Sequence, residues 1–161
     1  MIRGISFEIP NEYGQYLKEI FEKVPIDTYW WQVNYVDAFK ITDEFNAIQL
    51  KSPHLFPDDC FLEGKKLKHI INEPEYYVIF LAMGASKNKL DDIVYMNSYN
   101  DFLESDFEIL IDIYDNSYVL IYCKDDSLLK IFETNALKNN YENISFITDE
   151  NDEGNFCDFK G

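Results

Sequence analysis

Histidine is almost absent: His54 and His69 are the only two in 161 residues. A mechanism built on imidazole, as general base or as metal ligand, therefore has few ways to be assembled. Cysteine is scarce as well. Cys60, Cys123 and Cys157 are an odd number without close spacing, which argues against a disulfide framework, and with no signal peptide evident a reducing, cytoplasmic setting is expected. No apolar run approaches the roughly 20 residues that span a bilayer. The longest, Tyr76 to Met83, has the length of a buried strand. Positive charge is the third shortage, since fourteen Lys and Arg against thirty Asp and Glu give a formal charge of -16. Such a chain is repelled by phosphate backbones and anionic membranes, so neither direct nucleic-acid binding nor membrane association is expected. Glycine-rich phosphate loops, dinucleotide fingerprints, nucleophile elbows and HExxH helices are missing. No catalytic residue and no cofactor is assigned.

What the chain does have is apolar surface. It is 47% hydrophobic and 17% aromatic, with twelve Tyr and thirteen Phe, enough to offset the entropy of ordering and of a kind that suits strands. Residues 1–161 fit one domain.

The clearest unit runs from Phe107 to Thr148. Phe107, Ile109, Ile111 and Ile113 alternate with Glu108, Leu110, Asp112 and Tyr114, the period of a strand. Asp115-Asn116-Ser117 breaks the run before Tyr118 to Cys123, which predicts a hairpin. A helix follows, with Asp125, Asp126 or Ser127 as N-cap and Leu128, Ile131, Phe132 and Ala136 on its apolar face. Ile144 to Thr148 closes the unit as a strand.

Upstream, Gly4 to Ile9 reads as a first strand closed by Pro10. Asn11 can cap a helix whose stripe is Tyr13, Tyr16, Leu17, Ile20, Phe21 and Val24, stopped by Pro25. Tyr29 to Ile41 is expected to be a strand or bent hairpin with Val33, Tyr35 and Ala38-Phe39 supplying a half-buried face. Trp30 and Trp31 point to opposite sides of a regular strand, which leaves one of them as a candidate for an exposed contact. An irregular connection with a short strand at Ile48–Leu50 leads to an amphipathic helix on Leu62, Leu67, Ile70 and Ile71, whose Lys65, Lys66, Lys68 and His69 read as a solvated face. Tyr76 to Met83 predicts a central strand covered on both sides. A loop over 84–89, a short strand at Ile93–Met96 and a brief helix capped by Ser98 and Asp101 follow. The acidic tail, residues 149–161, is expected to be an edge strand or a frayed end.

Three groupings invite chemistry and fall short of it. His54, Cys60 and His69 lack zinc spacing. Cys123 ends an apolar strand as an inert thiol, and Cys60 sits beside Asp58 and Asp59, which disfavour its thiolate. Asp149-Glu150-Asn151-Asp152-Glu153-Gly154 starts like a calcium loop, but its twelfth position is Lys160 where a bidentate glutamate belongs. No metal is assigned.

Gly4-Ile5-Ser6-Phe7-Glu8-Ile9-Pro10-Asn11 with Tyr13-Gly14 resembles the start of a family of short proteins of unknown function from Bacillus-type bacteria. Tyr99 with Asp101-Phe102-Leu103, Tyr122-Cys123-Lys124-Asp125, Asn135-Ala136 and Ile147-Thr148-Asp149-Glu150-Asn151-Asp152 echo it further on. Where that family tends to carry a basic residue after the last acidic run, Glu153-Gly154 stands here. The resemblance implies a common fold and a bacterial cytoplasmic setting, and no activity. Ile9-Pro10-Asn11-Glu12-Tyr13 with Leu17 is similar to a helix start in immunity proteins of bacterial toxin systems, many of them small, acidic and α+β; the Asn-Gly that follows it there is missing here.

The expected fold is α+β, a single domain with a mainly antiparallel sheet and helices packed on one face. The leading functional expectation is a non-enzymatic, acidic protein-binding protein of immunity or inhibitor type with a protein partner, basic in character. Trp30, Trp31, Asp149, Glu150, Asp152 and Glu153 form the candidate interaction surface. The alternatives are a small-molecule binder or enzyme with an aromatic and carboxylate pocket, and a nucleic-acid mimic.

Overall fold

The computed structural model describes residues 1–41, 53–154 and 156–161; the strand expected at Ile48–Leu50 lies outside them. Seven strands form one antiparallel sheet: β1 (Ile2–Glu8), β2 (Trp30–Lys40), β3 (Phe61–Glu63), β4 (Tyr76–Ser86), β5 (Phe107–Tyr114), β6 (Tyr118–Cys123) and β7 (Glu142–Thr148). Their order is β3-β2-β4-β5-β6-β1-β7. Among the described residues, four α-helices accompany them: α1 (Tyr16–Ile20), α2 (Gly64–Ile71), α3 (Tyr99–Glu104) and α4 (Asp126–Lys138). The α+β class with an antiparallel sheet is the one expected.

The β5–β6 hairpin sits near the middle. Its turn places Asp115 and Asn116 at φ 49 and 66, the left-handed region that Asp and Asn tolerate best after glycine. Beyond β6, Asp125 caps α4 by accepting from the Ser127 amide at 2.8 Å. On the inner side of α4, Asn135 is buried, and its Nδ2 donates to the carbonyls of Ile20 at 3.0 Å and Glu22 at 2.8 Å. These are carbonyls left over where α1 ends, so one amide satisfies both and ties the two helices together.

Three local expectations change. The helix expected from Asn11 begins only at Tyr16, because Gly14 exchanges both backbone hydrogen bonds with Tyr76 (3.0 and 2.9 Å) and is held extended. Leu17, Ile20, Phe21 and Val24 are still buried, whereas Tyr13 is exposed. Strand β4 runs through Gly84, Ala85 and Ser86, which were expected to be a loop. Pairing with β2 on one side and β5 on the other extends it, and Gly84 has no side chain to collide with the Phe107 ring packed over it. Residues 93–96, expected to be a short strand, form none. The buried Gln32 side chain serves as their partner, accepting from the Val94 amide at 2.8 Å and donating to its carbonyl at 2.9 Å.

The sheet has two apolar faces. On the first, α1, α2 and α4 pack Leu17, Ile20, Leu67, Ile70, Phe132 and their neighbours against Ile109, Ile111, Ile121 and Trp31. On the second, α3 and the C-terminal segment lay Phe102, Phe156 and Phe159 over Leu110, Leu120 and Tyr122. The tail is neither an edge strand nor frayed. It ends in a 3-10 turn, Cys157–Phe159, with Phe156 and Phe159 fully buried, because the alternation of β5 and β6 leaves a second apolar face that must be covered. Among the described residues, no helix is long and apolar enough to cross a membrane.

Candidate functional site

The second face is covered over only part of its extent. The covered part is fastened by a buried carboxylate: Arg3 Nη1 donates to Asp152 Oδ2 at 2.9 Å, Tyr122 Oη to Oδ1 at 2.8 Å, and the Gly154 amide to Oδ1 at 2.9 Å. The Arg3 guanidinium also lies 4.3 Å from the centre of the Tyr99 ring on α3. Burial by itself would raise the Asp152 pKa. The hydrogen bonds from Gly154, Tyr122 and Arg3, with the Arg3 charge, outweigh it and hold the carboxyl below its ordinary value.

Beyond this fastening the face opens. A bulge in β2 carries Val33 opposite Met83 but Tyr35 opposite Ala82. An extra residue reverses the alternation of a strand, so Val33 stays in the first core while Tyr35 turns to the second face and is 52% exposed. Tyr35 meets Phe80 edge-on at 5.8 Å, and Tyr114 stacks on Tyr118 at 5.3 Å. Asp37 and Asp112 share this face through their pairings with Phe80 and with Ala82 and Leu120.

Asp112 is the unusual member. It is 7% exposed, and its Oδ1 is enclosed without a hydrogen-bond partner. With Tyr114 and Leu120 it lines a cavity of about 200 Å³, which Cys157 and Asp158 of the C-terminal turn complete. Burial pushes the Asp112 carboxyl up to about 8, and the neighbouring Asp158 carboxyl adds to the rise by hydrogen bonding and by charge repulsion. Asp112 therefore keeps its proton at neutral pH, where an ordinary aspartate is ionised.

The candidate surface drawn from the sequence is dispersed by the fold. Trp31 is fully buried, its Nε1 donating to the Ile26 carbonyl at 3.0 Å, and the Asp152 side chain is 1% exposed in the fastening with Arg3; neither offers a surface. Trp30 is half-buried on the other side of β2, beneath Lys89 Nζ at 5.1 Å. Asp149 is exposed and paired with the N-terminal amine at 3.3 Å, while Glu150 and Glu153 are exposed. Sequence reading missed Asp112 and Asp158. The available signal was an aspartate within the run of isoleucines of that strand, Asp112 between Ile111 and Ile113.

The remaining groupings have structural roles. Among the described residues, no three His, Cys, Asp or Glu side chains are placed to hold a metal ion. The loop that starts like a calcium site is a turn in which Asn151 Oδ1 accepts from the Thr148 amide at 2.7 Å. Cys123 is a buried thiol whose pKa burial pushes up to about 12, and Cys60 and Cys157 are exposed and unpaired by disulfide. Lys66 and Lys68 of α2 form exposed ion pairs with Asp59 and Asp27, as a solvated face would.

Comparison with known proteins agrees with the likeness seen in the sequence. The family model described as "Protein of unknown function (DUF2691)" matches residues 2–157. Over 153 residues the chain is 39% identical to "Uncharacterized protein YncE" of Bacillus subtilis (strain 168), covering 94% of this chain and 95% of that protein. No solved structure matches it.

Proposed function

We propose that this chain, which belongs to the DUF2691 family of proteins of unknown function, is a non-enzymatic protein-binding module of inhibitor or immunity type that grips a basic partner with the open part of its second sheet face. What supports this reading is one observation. Tyr35, Phe80, Tyr114 and Tyr118 share that face with Asp37 and Asp112, in a chain of formal charge -16. Aromatic rings on a rigid sheet give contact area at small entropic cost and attract cations to their faces. The acidic balance of the chain, with Asp37 on this face, speeds the encounter with a positive surface and disfavours an acidic one. In this reading the protein works in the cytoplasm, where the three free thiols remain reduced.

The test is capture from Bacillus cell extract on immobilised protein, comparing the unchanged chain with a Tyr35→Ala/Tyr118→Ala double variant and with Leu137→Ala, an exposed position on α4. The expected result is a basic protein retained by the first and third, lost by the double variant, and released as salt is raised. Retention that ignores the double variant, or that is indifferent to salt, would overturn the reading.

A further inference from the structure

We infer that the cavity between Asp112 of β5 and Asp158 of the C-terminal turn is an anchor pocket for one arginine side chain of the partner. The inference rests on the protein-binding reading above and names its central contact. Asp112 is more than nine-tenths buried, its Oδ1 has no partner, and it lines an open cavity. A buried acceptor without a donor costs free energy that a ligand's donor would recover.

The cavity size selects the class of ligand. At about 200 Å³ it is below the roughly 300–1,000 Å³ of sites that enclose whole small molecules, and it suits a single side chain of the kind that anchors an interface. The lining selects the chemistry. Two carboxyls face the space and Tyr114 flanks it, while none of the lining residues Asp112, Tyr114, Leu120, Cys157 and Asp158 carries positive charge. A guanidinium has five donors in a plane, can serve both carboxyls at once, stacks on an aromatic ring, and gives up water more readily than an ammonium does.

Entry of the cation has a bookkeeping consequence for protons. In the empty site Asp112 keeps its proton up to about pH 8; a guanidinium between the two carboxyls stabilises the Asp112 carboxylate, so that proton leaves to solvent as the cation enters. The groups that bear on this titration are few. Strands β4 and β6 present Ala82 and Leu120 against Asp112, Tyr114 lies on its own strand, and the turn brings Asp158 and Cys157.

The test uses the full chain and N-acetyl-arginine methylamide as probe, followed by amide NMR shifts at about 0.15 M salt, where charges far apart on the surface are screened. Saturable shifts confined to Asp112–Tyr114, Leu120 and Cys157–Phe159 are expected. Affinity should be about tenfold weaker in Asp158→Asn, the loss of one charge-assisted hydrogen bond, and should fall when the pH is lowered from about 8 to about 6, where the site keeps its proton. The citrulline analogue, equal in shape but neutral, should not bind. Equal binding of citrulline or of the lysine analogue, shifts that do not saturate, or an Asp158→Asn variant that binds unchanged would each overturn the pocket. Because the probe is free in solution, its failure leaves the sheet-face capture result standing, and failure of that capture leaves probe binding to be read separately.

Discussion

Replacing Asp112 by asparagine is expected to make the protein more stable at neutral and mildly alkaline pH and to flatten the dependence of its stability on pH. Asp112 carries a carboxyl raised from 3.8 to about 8 by burial and by Asp158. An aspartate in the unfolded chain releases its proton near pH 4, whereas the folded protein keeps it up to about pH 8. Between those values folding takes up a proton, so stability is fully present below about pH 4 and is lost as pH rises toward 8. Each pH unit in that window is worth about 1.4 kcal/mol, at most about 4 kcal/mol from pH 5 to pH 8. Asparagine fits the same space, does not titrate, and its amide can donate to Asp158. The assay is urea unfolding followed by the fluorescence of buried Trp31 at about pH 5, 6.5 and 8. With a urea slope of about 2 kcal/mol per molar, the midpoint of the unchanged protein should fall by up to about 2 M across that range, and that of Asp112→Asn by much less. Parallel curves for the two proteins, or a midpoint that rises with pH in both, would refute the argument.

Other consequences follow from the same contacts. Arg3→Ala leaves the Asp152 carboxylate, 1% exposed, with Tyr122 and Gly154 as its donors among the described residues; a loss of about 2–3 kcal/mol is expected, with hydrogen exchange of the amides from 152 to 159 accelerating more than that of β5. Phe156→Ala opens a hole in the second core, where Phe156 is fully buried against Tyr122 at 4.9 Å between ring centres, and should cost about 3–5 kcal/mol by denaturant titration. Thiol labelling of the native protein below about pH 8 should modify Cys60 and Cys157, both exposed, and spare Cys123, whose thiol is buried and pushed up to about 12; labelling of Cys123 at the same rate would show that the β6 end is open in solution.

Much of the scaffold is written locally. The alternation of β5 and β6, the turn at Asp115-Asn116, and the caps at Ser98 and Asp125 each follow from a few neighbouring residues, and each stands in the fold where the pattern puts it. The start of the first helix was less legible, since the Gly14 bridge that delays it comes from Tyr76, far along the chain. The tail was illegible for a related reason. Phe156, Cys157 and Phe159 among acidic residues look like a loose end until the second face of the sheet exists for them to cover.

The candidate site shows the division most clearly. The sequence by itself determined the acidic balance, the supply of aromatic rings, the lack of catalytic motifs, and the antiparallel sheet, because these depend on composition and on the period of short runs. Only the tertiary structure decided which residues face one another. One bulged residue in β2 sends Tyr35 out of the core and onto the open face. The path of the tail carries Asp158 across β5 to Asp112, 46 positions earlier in the sequence. Burial, with the Asp158 carboxyl beside it, then holds the proton on Asp112 far above the usual aspartate range, and no local pattern encodes a meeting of residues so far apart.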